Sequence, residues 1–290
     1  MILRLRSVTI IALLVTACAP VQPPRYDGTV PIAAKGSTTV GPSRGALVVV
    51  GGGRVGSDVV SRFVELAGGP ERARIVVIPT AGEADIYPDD WPGLQQLQNA
   101  GVKYITVLHT RDRNIADSNE FVAPLRRATG VWIPGGRQWR LVDAYLGTRT
   151  HRELERLLDR GGVIGGTSAG ASIQASYMVR GARSGNTIVM APGYETGFGF
   201  LRNTAVDQHL LARNRQDDML QVISRYPHLL GIGLDEGTAI VVRGDTADVI
   251  GESKAAFYNT DAANPRIYFY LTHGDRFDLA ARRALPRPVH

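Results

Sequence analysis

The run Gly161-Gly162-Val163-Ile164-Gly165-Gly166-Thr167-Ser168-Ala169-Gly170-Ala171-Ser172 constrains this chain more than any other. Val163-Ile164 reads as a buried strand, and Ala171 to Met178 can continue as a helix. Between them stands a sharp turn with Ser168 at its tip. Gly166-Thr167-Ser168-Ala169-Gly170 fits the G-x-S-x-G nucleophile elbow. A serine on a strained strand-to-helix turn needs neighbours without bulk, so that its hydroxyl stands clear of the backbone. The first N–H groups of the following helix then point back toward that serine. A glycine-rich turn with an incidental serine is the bland alternative.

Four short apolar runs precede the elbow: Leu47 to Val50, Ile75 to Ile78, Tyr104 to Leu108 and Val131 to Ile133. Mostly β-branched and nearly continuous, they predict strands buried on both faces. Helical patterns separate them at Ser57 to Leu66, Asp89 to Asn99, Ser118 to Arg127 and Arg149 to Asp159. This alternation predicts an α/β fold with a mostly parallel sheet, helices on both faces and right-handed crossovers. Ligands of such sheets bind at the carboxyl ends of the strands, where the elbow puts Ser168. Beyond the elbow, a helix near Leu211 to Ser224 and short strands from Gly231 to Tyr270 predict an antiparallel extension on the C-terminal side.

Gly51-Gly52-Gly53-Arg54-Val55-Gly56 follows the first strand and matches G-x-G-x-x-G. A dinucleotide site also needs an acid at the end of the second strand to hold the ribose. That strand ends Ile78-Pro79-Thr80-Ala81, with no acid before Glu83. The glycines are better read as a turn passing close to the active-site edge. With 33 basic and 27 acidic residues the precursor carries +6. No basic stripe with interleaved aromatics is present, so nucleic acid is not implied. The six histidines lack ligand spacing, so neither metal nor cofactor is indicated.

The first residues resemble an export signal. Arg4 and Arg6 form a basic start, and Val8 to Val15 is an apolar run too short for a stable anchor. Val15-Thr16-Ala17-Cys18 resembles a bacterial lipobox, which implies cleavage before Cys18 and lipidation of its thiol. Cys18 is the chain's single cysteine, so no intrachain disulfide is possible. Residues 18–44, rich in Pro, Gly, Ser and Thr, read as a flexible tether. The expected organisation is a signal peptide at 1–17, the lipidated tether at 18–44, one domain at 45–272 and a basic tail at 273–290. The protein is thus expected to be exported and held at a membrane. The sequence leaves oligomeric state open.

A serine needs a base. His209 ends Ala205-Val206-Asp207-Gln208-His209, where a short strand could bring it beside the elbow; His109, at the end of the third strand, is the rival.

Residues 45 to about 260 resemble the cyanophycinase-like serine peptidases, relatives of dipeptidase E. The similarity runs in order through Phe63 to Gly69, Arg74 to Thr80, Gly135 to Leu141, Gly166 to Ala171, Asp207-Gln208-His209 and Leu230 to Ala239. It implies a class I glutamine-amidotransferase-like fold, with Ser168 as nucleophile and His209 as base. Gly136 and Ala169 are the natural oxyanion donors, flanking Ser168 on either side. Arg137, Gln138, Asp207 and Gln208 fall on positions expected to line the substrate cleft, although Asp207 could equally orient the turn before His209. Asp235-Glu236 reads as a cap or hydrogen-bonded turn near the site.

Three departures stand out. Arg137 occupies the acid position of Gly-Gly-Asp-Gln. Arg213 and Arg215 are kept after the histidine, but Asp218 occupies a further arginine position. The resemblance also implies a third triad member, an acid about twenty residues after the serine, and this chain has no Asp or Glu between Ser168 and Glu195. A Ser-His dyad, recruitment of Glu195 or an inactive site all remain open at this point. The expected activity is serine-dependent hydrolysis of cyanophycin (an aspartate backbone with arginines on its β-carboxyls) or of related β-aspartyl or acidic peptides. A catalytically silent surface lipoprotein binding peptides in the same cleft is the alternative. Ammonia-transfer chemistry is disfavoured, since it uses a cysteine at the elbow.

Overall fold

The computed structural model describes residues 40–258 and 268–287. Cys18, the signal and most of the tether lie outside the described residues. The described strands, in chain order, are β1 (Ala46–Val50), β2 (Arg74–Val77), β3 (Tyr104–Val107), β4 (Gly130–Ile133), β5 (Val163–Thr167), β6 (Ala175–Tyr177) and β7 (Leu201–Gln208). They continue with β8 (Leu230–Leu234), β9 (Thr238–Arg243), β10 (Thr246–Gly251), β11 (Ala255–Tyr258), β12 (Tyr268–Leu271), β13 (Arg276–Asp278) and β14 (Arg283–Leu285).

They form two sheets. The larger runs β14-β13-β10-β9-β1-β5-β4-β2-β3. Its β1, β5, β4, β2 and β3 are mutually parallel, and the C-terminal strands extend it antiparallel from β1. The smaller runs β12-β11-β8-β7-β6, with β6, β7 and β8 parallel. Apolar side chains on β1, β4 and β5 are buried on both faces, as continuous β-branched runs require.

The expected α/β fold with a mostly parallel sheet and an antiparallel extension is present, but the later strands divide. β9 and β10 extend the first sheet, while β8, β11 and β12 build the second. Helices Ser57–Leu66 and Arg149–Asp159 have the predicted bounds. Others are shorter. Pro92 opens a 3-10 turn, leaving α-helix only at Gln95–Asn99, and Pro124 sits in the first turn of a helix confined to Ala123–Arg127. The helix after the elbow stops after one turn, Ala169–Ser172, because the apolar residues beyond it enter β6. A helix at Gln138–Tyr145 was not anticipated.

The domain also exceeds the expected bounds of 45 and 272. Val40 is buried, and its carbonyl accepts from Arg202 N–H at 2.7 Å. At the other end β13 and β14 join the large sheet, and buried Phe277 stacks on Phe257 with ring centroids 3.9 Å apart. The segment expected as a basic tail therefore contributes core, because Phe277 and Leu279 supply apolar area that its arginines obscure.

Candidate active site

Three neighbouring strand ends of the large sheet surround Ser168. β5 carries it, β1 lies on one side with the Gly51–Gly53 loop, and β4 lies on the other with Gly135 and Gly136. Ser168 has φ 53° and ψ −112°, a strained conformation for a residue with a side chain, and its N–H donates to Val50 O at 3.0 Å. The elbow glycines are sterically required. A β-carbon on Gly170 would stand 1.9 Å from Ile133 O, and one on Gly166 2.3 Å from Gly170 O.

The second sheet supplies the partners. β7 ends directly before His209, and parallel β8 ends just before Asp235-Glu236. Ser168 Oγ lies 2.9 Å from His209 Nε2. His209 Nδ1 is hydrogen-bonded to Glu236 Oε1. With Nδ1–H donating to the carboxylate, Nε2 is left to accept from the serine hydroxyl. Serine comes from one sheet and the His–Glu pair from the other, so the site stands where the two sheets meet.

The Gly51–Gly53 loop makes this junction possible. Gly51 O accepts from His209 N–H at 2.8 Å, and Gly52 O accepts from Gly237 N–H at 3.1 Å. Gly52 has φ +124°, and a β-carbon there would lie 2.3 Å from His209 Cε1. The G-x-G of this loop is thus a seat for an imidazole and a carboxylate. Asp235 fixes the turn after the base. Its Oδ1 accepts from Leu211 and Ala212 N–H at 2.9 and 3.0 Å, and its Oδ2 accepts from Ser253 Oγ at 2.6 Å. Burial opposes the Asp235 charge, but these donors hold its carboxyl below the usual range.

His209 is buried, and that burial is the main reason its pKa lies below the ordinary histidine value. The Glu236 hydrogen bond opposes the shift, and the Arg213 charge adds to it. The imidazole is therefore neutral at neutral pH, as a proton acceptor must be. His109, the rival, is turned to another partner: its Nδ1 lies 2.8 Å from Thr80 Oγ1, which also bonds Tyr145 Oη at 2.6 Å.

Glu236 is the acid that sequence reasoning sought elsewhere. Glu195 accepts instead from Tyr177 Oη at 2.8 Å in the core. The expectation of an acid about twenty residues after the serine fails because the acid arrives on the strand next to the base. With Glu236 on the imidazole, the missing-acid ground for a silent binding protein also falls away. The signal for it was available in Leu230 to Ala239: an acid directly after an apolar strand, followed by glycine.

Gly136 lies beside Ser168 on the β4 side, after Gly135, whose added β-carbon would be 3.3 Å from Ser168 Cβ. Ala169 follows the serine, and neither its N–H nor that of Gly136 donates to a backbone acceptor among the described residues. The other expected cleft residues are engaged inside the protein. Arg137 Nη2 donates to Ala182 O at 2.7 Å, and buried Gln138 Nε2 donates to Val179 O at 2.8 Å. Asp207 is fully buried and takes the Arg180 guanidinium through Nε at 2.7 Å and Nη2 at 2.8 Å. Gln208 Oε1 accepts from Arg215 Nη1 at 2.6 Å. Burial works against the Arg180 charge, and the Asp207 and Asp218 carboxylates more than offset it, so its pKa stands above the ordinary value. Arg215 is pushed down to about 10, first by burial and then by neighbouring Arg180. Among the described residues no group of three or more His, Cys, Asp or Glu is arranged to hold a metal ion.

A serine on a strained elbow, hydrogen-bonded to a histidine that is itself bonded to a carboxylate, defines a serine hydrolase of the triad type. A profile of Peptidase family S51 matches residues 47–250. The chain is 31% identical over 238 residues to a cyanophycinase of Geminocystis herdmanii, covering 80% of this chain and 85% of that one. It is 30% identical over 269 residues to a cyanophycinase of Nostoc sp., covering 83% and 88%. Among solved structures, a peptidase from an acI-B1 Actinobacterium superposes with a TM-score of 0.64 at 25% identity, covering 82% of this chain and 98% of that one. This chain belongs to Peptidase family S51 and is a serine-type peptidase.

Proposed function

We propose that Ser168 Oγ attacks the carbonyl carbon of a peptide or isopeptide bond while its proton passes to His209 Nε2. Glu236 holds the imidazole tautomer and stabilises the imidazolium that forms. The Gly136 and Ala169 N–H groups receive the oxyanion of the tetrahedral intermediate. As that intermediate collapses, the C–N bond breaks and His209 gives its proton to the leaving amine. Water, deprotonated by the same histidine, then attacks the acyl-serine; the C–Oγ bond breaks, His209 returns the proton to Ser168 and the acid leaves. The observation that carries this reading is the hydrogen-bonded sequence Ser168–His209–Glu236 at the junction of the two sheets.

The substrate in this proposal is cyanophycin or a related β-aspartyl or acidic peptide, supported by the similarity to proteins described as cyanophycinases. The chain is also proposed to be exported and anchored through a lipid on Cys18, a reading that rests on Val15-Thr16-Ala17-Cys18. An exported enzyme of this kind would scavenge polymer from outside the cell. The test compares arginine-containing dipeptides released from insoluble cyanophycin with cleavage of soluble β-aspartyl dipeptides, using Ser168→Ala as the blank. We expect measurable turnover of the polymer and faster turnover of a soluble peptide. No Ser168-dependent hydrolysis in either arm would refute the proposal. For the anchor, Cys18→Ser should release the domain from the membrane fraction, and an unmodified Cys18 in freely soluble wild-type protein would refute it.

A further inference from the structure

Three side chains expected in the cleft, Arg137, Gln138 and Asp207, and a fourth, Asp218, that replaces an arginine of the resemblance, converge on one short internal segment. Gln138 holds Val179 O, Arg137 holds Ala182 O, and Asp207 and Asp218 both hold the residue between, Arg180. Arg180 Nε and Nη2 make a two-pronged contact with Asp207, Nη2 also donates to Asp218 Oδ2 at 2.6 Å, and Nη1 donates to Asn186 O at 2.9 Å. Every guanidinium nitrogen is therefore used. Two carboxylates and a carbonyl arranged in this way form a complete receptor for a planar guanidinium. Arg180 itself is 2% exposed, whereas the Asp218 side chain is 38% exposed, so the outer wall of the receptor reaches the surface. Asp207 lies on β7 two residues before His209, so the receptor adjoins the base along the chain. Arg215 borders the receptor without entering it: two hydrogen bonds commit it to Gln208, and its Nη1 stays within ion-pair range of Asp207 at 3.9 Å.

We propose that Arg180 is a specificity-determining residue: its guanidinium fills the Asp207–Asp218 niche and withholds it from an arginine side chain of a peptide held at Ser168. The enzyme then favours peptides whose side chain on that flank is neutral or acidic. The specificity claim rests on the hydrolase reading above; the existence of a guanidinium niche does not.

Arg180 has φ 57°, so glycine is the replacement that empties the niche at least backbone cost. The experiment melts wild type and Arg180→Gly with methylguanidinium chloride, and with methylammonium chloride as control. It also compares kcat/KM for β-aspartyl-arginine and β-aspartyl-leucine. We expect methylguanidinium, but not methylammonium, to stabilise the variant saturably and to leave wild type unaffected. The arginine-to-leucine ratio should rise about tenfold or more in the variant. A folded variant that ignores methylguanidinium, or one that binds it with an unchanged ratio, would overturn the proposal. Should Arg180→Gly fail to fold, Asp218→Ala loosens Arg180 from its outer partner at a part-exposed position. The ratio should then rise about threefold, and an unchanged ratio counts against the niche. If wild type hydrolyses neither peptide, the specificity claim fails, and the hydrolase reading fails with it if the polymer is also left intact. Methylguanidinium binding still decides whether the niche exists.

Discussion

His209 and Asp207 are two residues apart, yet their surroundings are built on opposite plans. Around His209 the chain removes side chains. Gly52 faces the imidazole, Gly135 faces Ser168, and the polar contacts that remain form one line from hydroxyl to imidazole to carboxylate. Around Asp207 the chain adds charge: Arg180, Asp218 and Arg215 fill the space and nearly every polar atom has an internal partner. The first arrangement leaves a neutral, accepting nitrogen next to a hydroxyl. The second is saturated and gives a foreign group nothing to bind. Reactivity at one and closure at the other follow from which side chains are absent.

The largest effects should come from breaking the reactive line. Ser168→Ala removes the attacking oxygen and should abolish hydrolysis with the melting temperature nearly unchanged, as read by peptide turnover and calorimetry. His209→Ala should lower kcat by roughly 10³-fold or more, whereas His109→Ala should not. Glu236→Ala should cost about 10²- to 10⁴-fold in kcat, while Glu195→Ala leaves the catalytic line intact. An exchange of effects within either pair would place the base or the acid elsewhere.

The saturated region should answer in stability and in the choice between peptides. Arg180→Met leaves Asp207 buried without its main partner and should destabilise the fold by about 3 kcal/mol, measured by denaturant unfolding. Asp218→Arg would set a second guanidinium against Arg180, so it should also destabilise rather than restore a cleft arginine. The smallest expected effect sharpens the boundary between the regions. Catalysis needs neutral His209, so kcat/KM should fall as pH drops through its pKa, which lies below the ordinary histidine value. Arg213→Ala removes a charge that lowers this pKa and should move the acid limb to higher pH, an effect that added salt erases. No movement would show that Arg213 does not act on the base.

What the sequence disclosed follows the same division. Ser168 was legible because the elbow is local: two glycines and a strand within a few residues. His209 was legible through the resemblance at Asp207-Gln208-His209, since a strand end followed by histidine describes His109 equally well. Glu236 is hidden from any count along the chain from the serine, because the acid arrives by strand pairing, β8 beside β7. The Asp207–Arg180–Asp218 arrangement was illegible for a related reason. Charges far apart in sequence neutralise one another, and nothing in a composition or a period says which pairs will meet. The elbow helix was overpredicted because Ala171 to Met178 suits either helix or strand, and pairing of β6 with β7 decided between them.

The central claim is that Ser168 is made nucleophilic by His209 and Glu236. The direct measurement is the rate of covalent labelling by a fluorophosphonate, followed by intact mass and peptide mapping. A single adduct on Ser168 is predicted in wild type, with none in Ser168→Ala and labelling slowed about 10²-fold or more in His209→Ala and Glu236→Ala. An adduct on another residue, or equal labelling rates in wild type and His209→Ala, would contradict it.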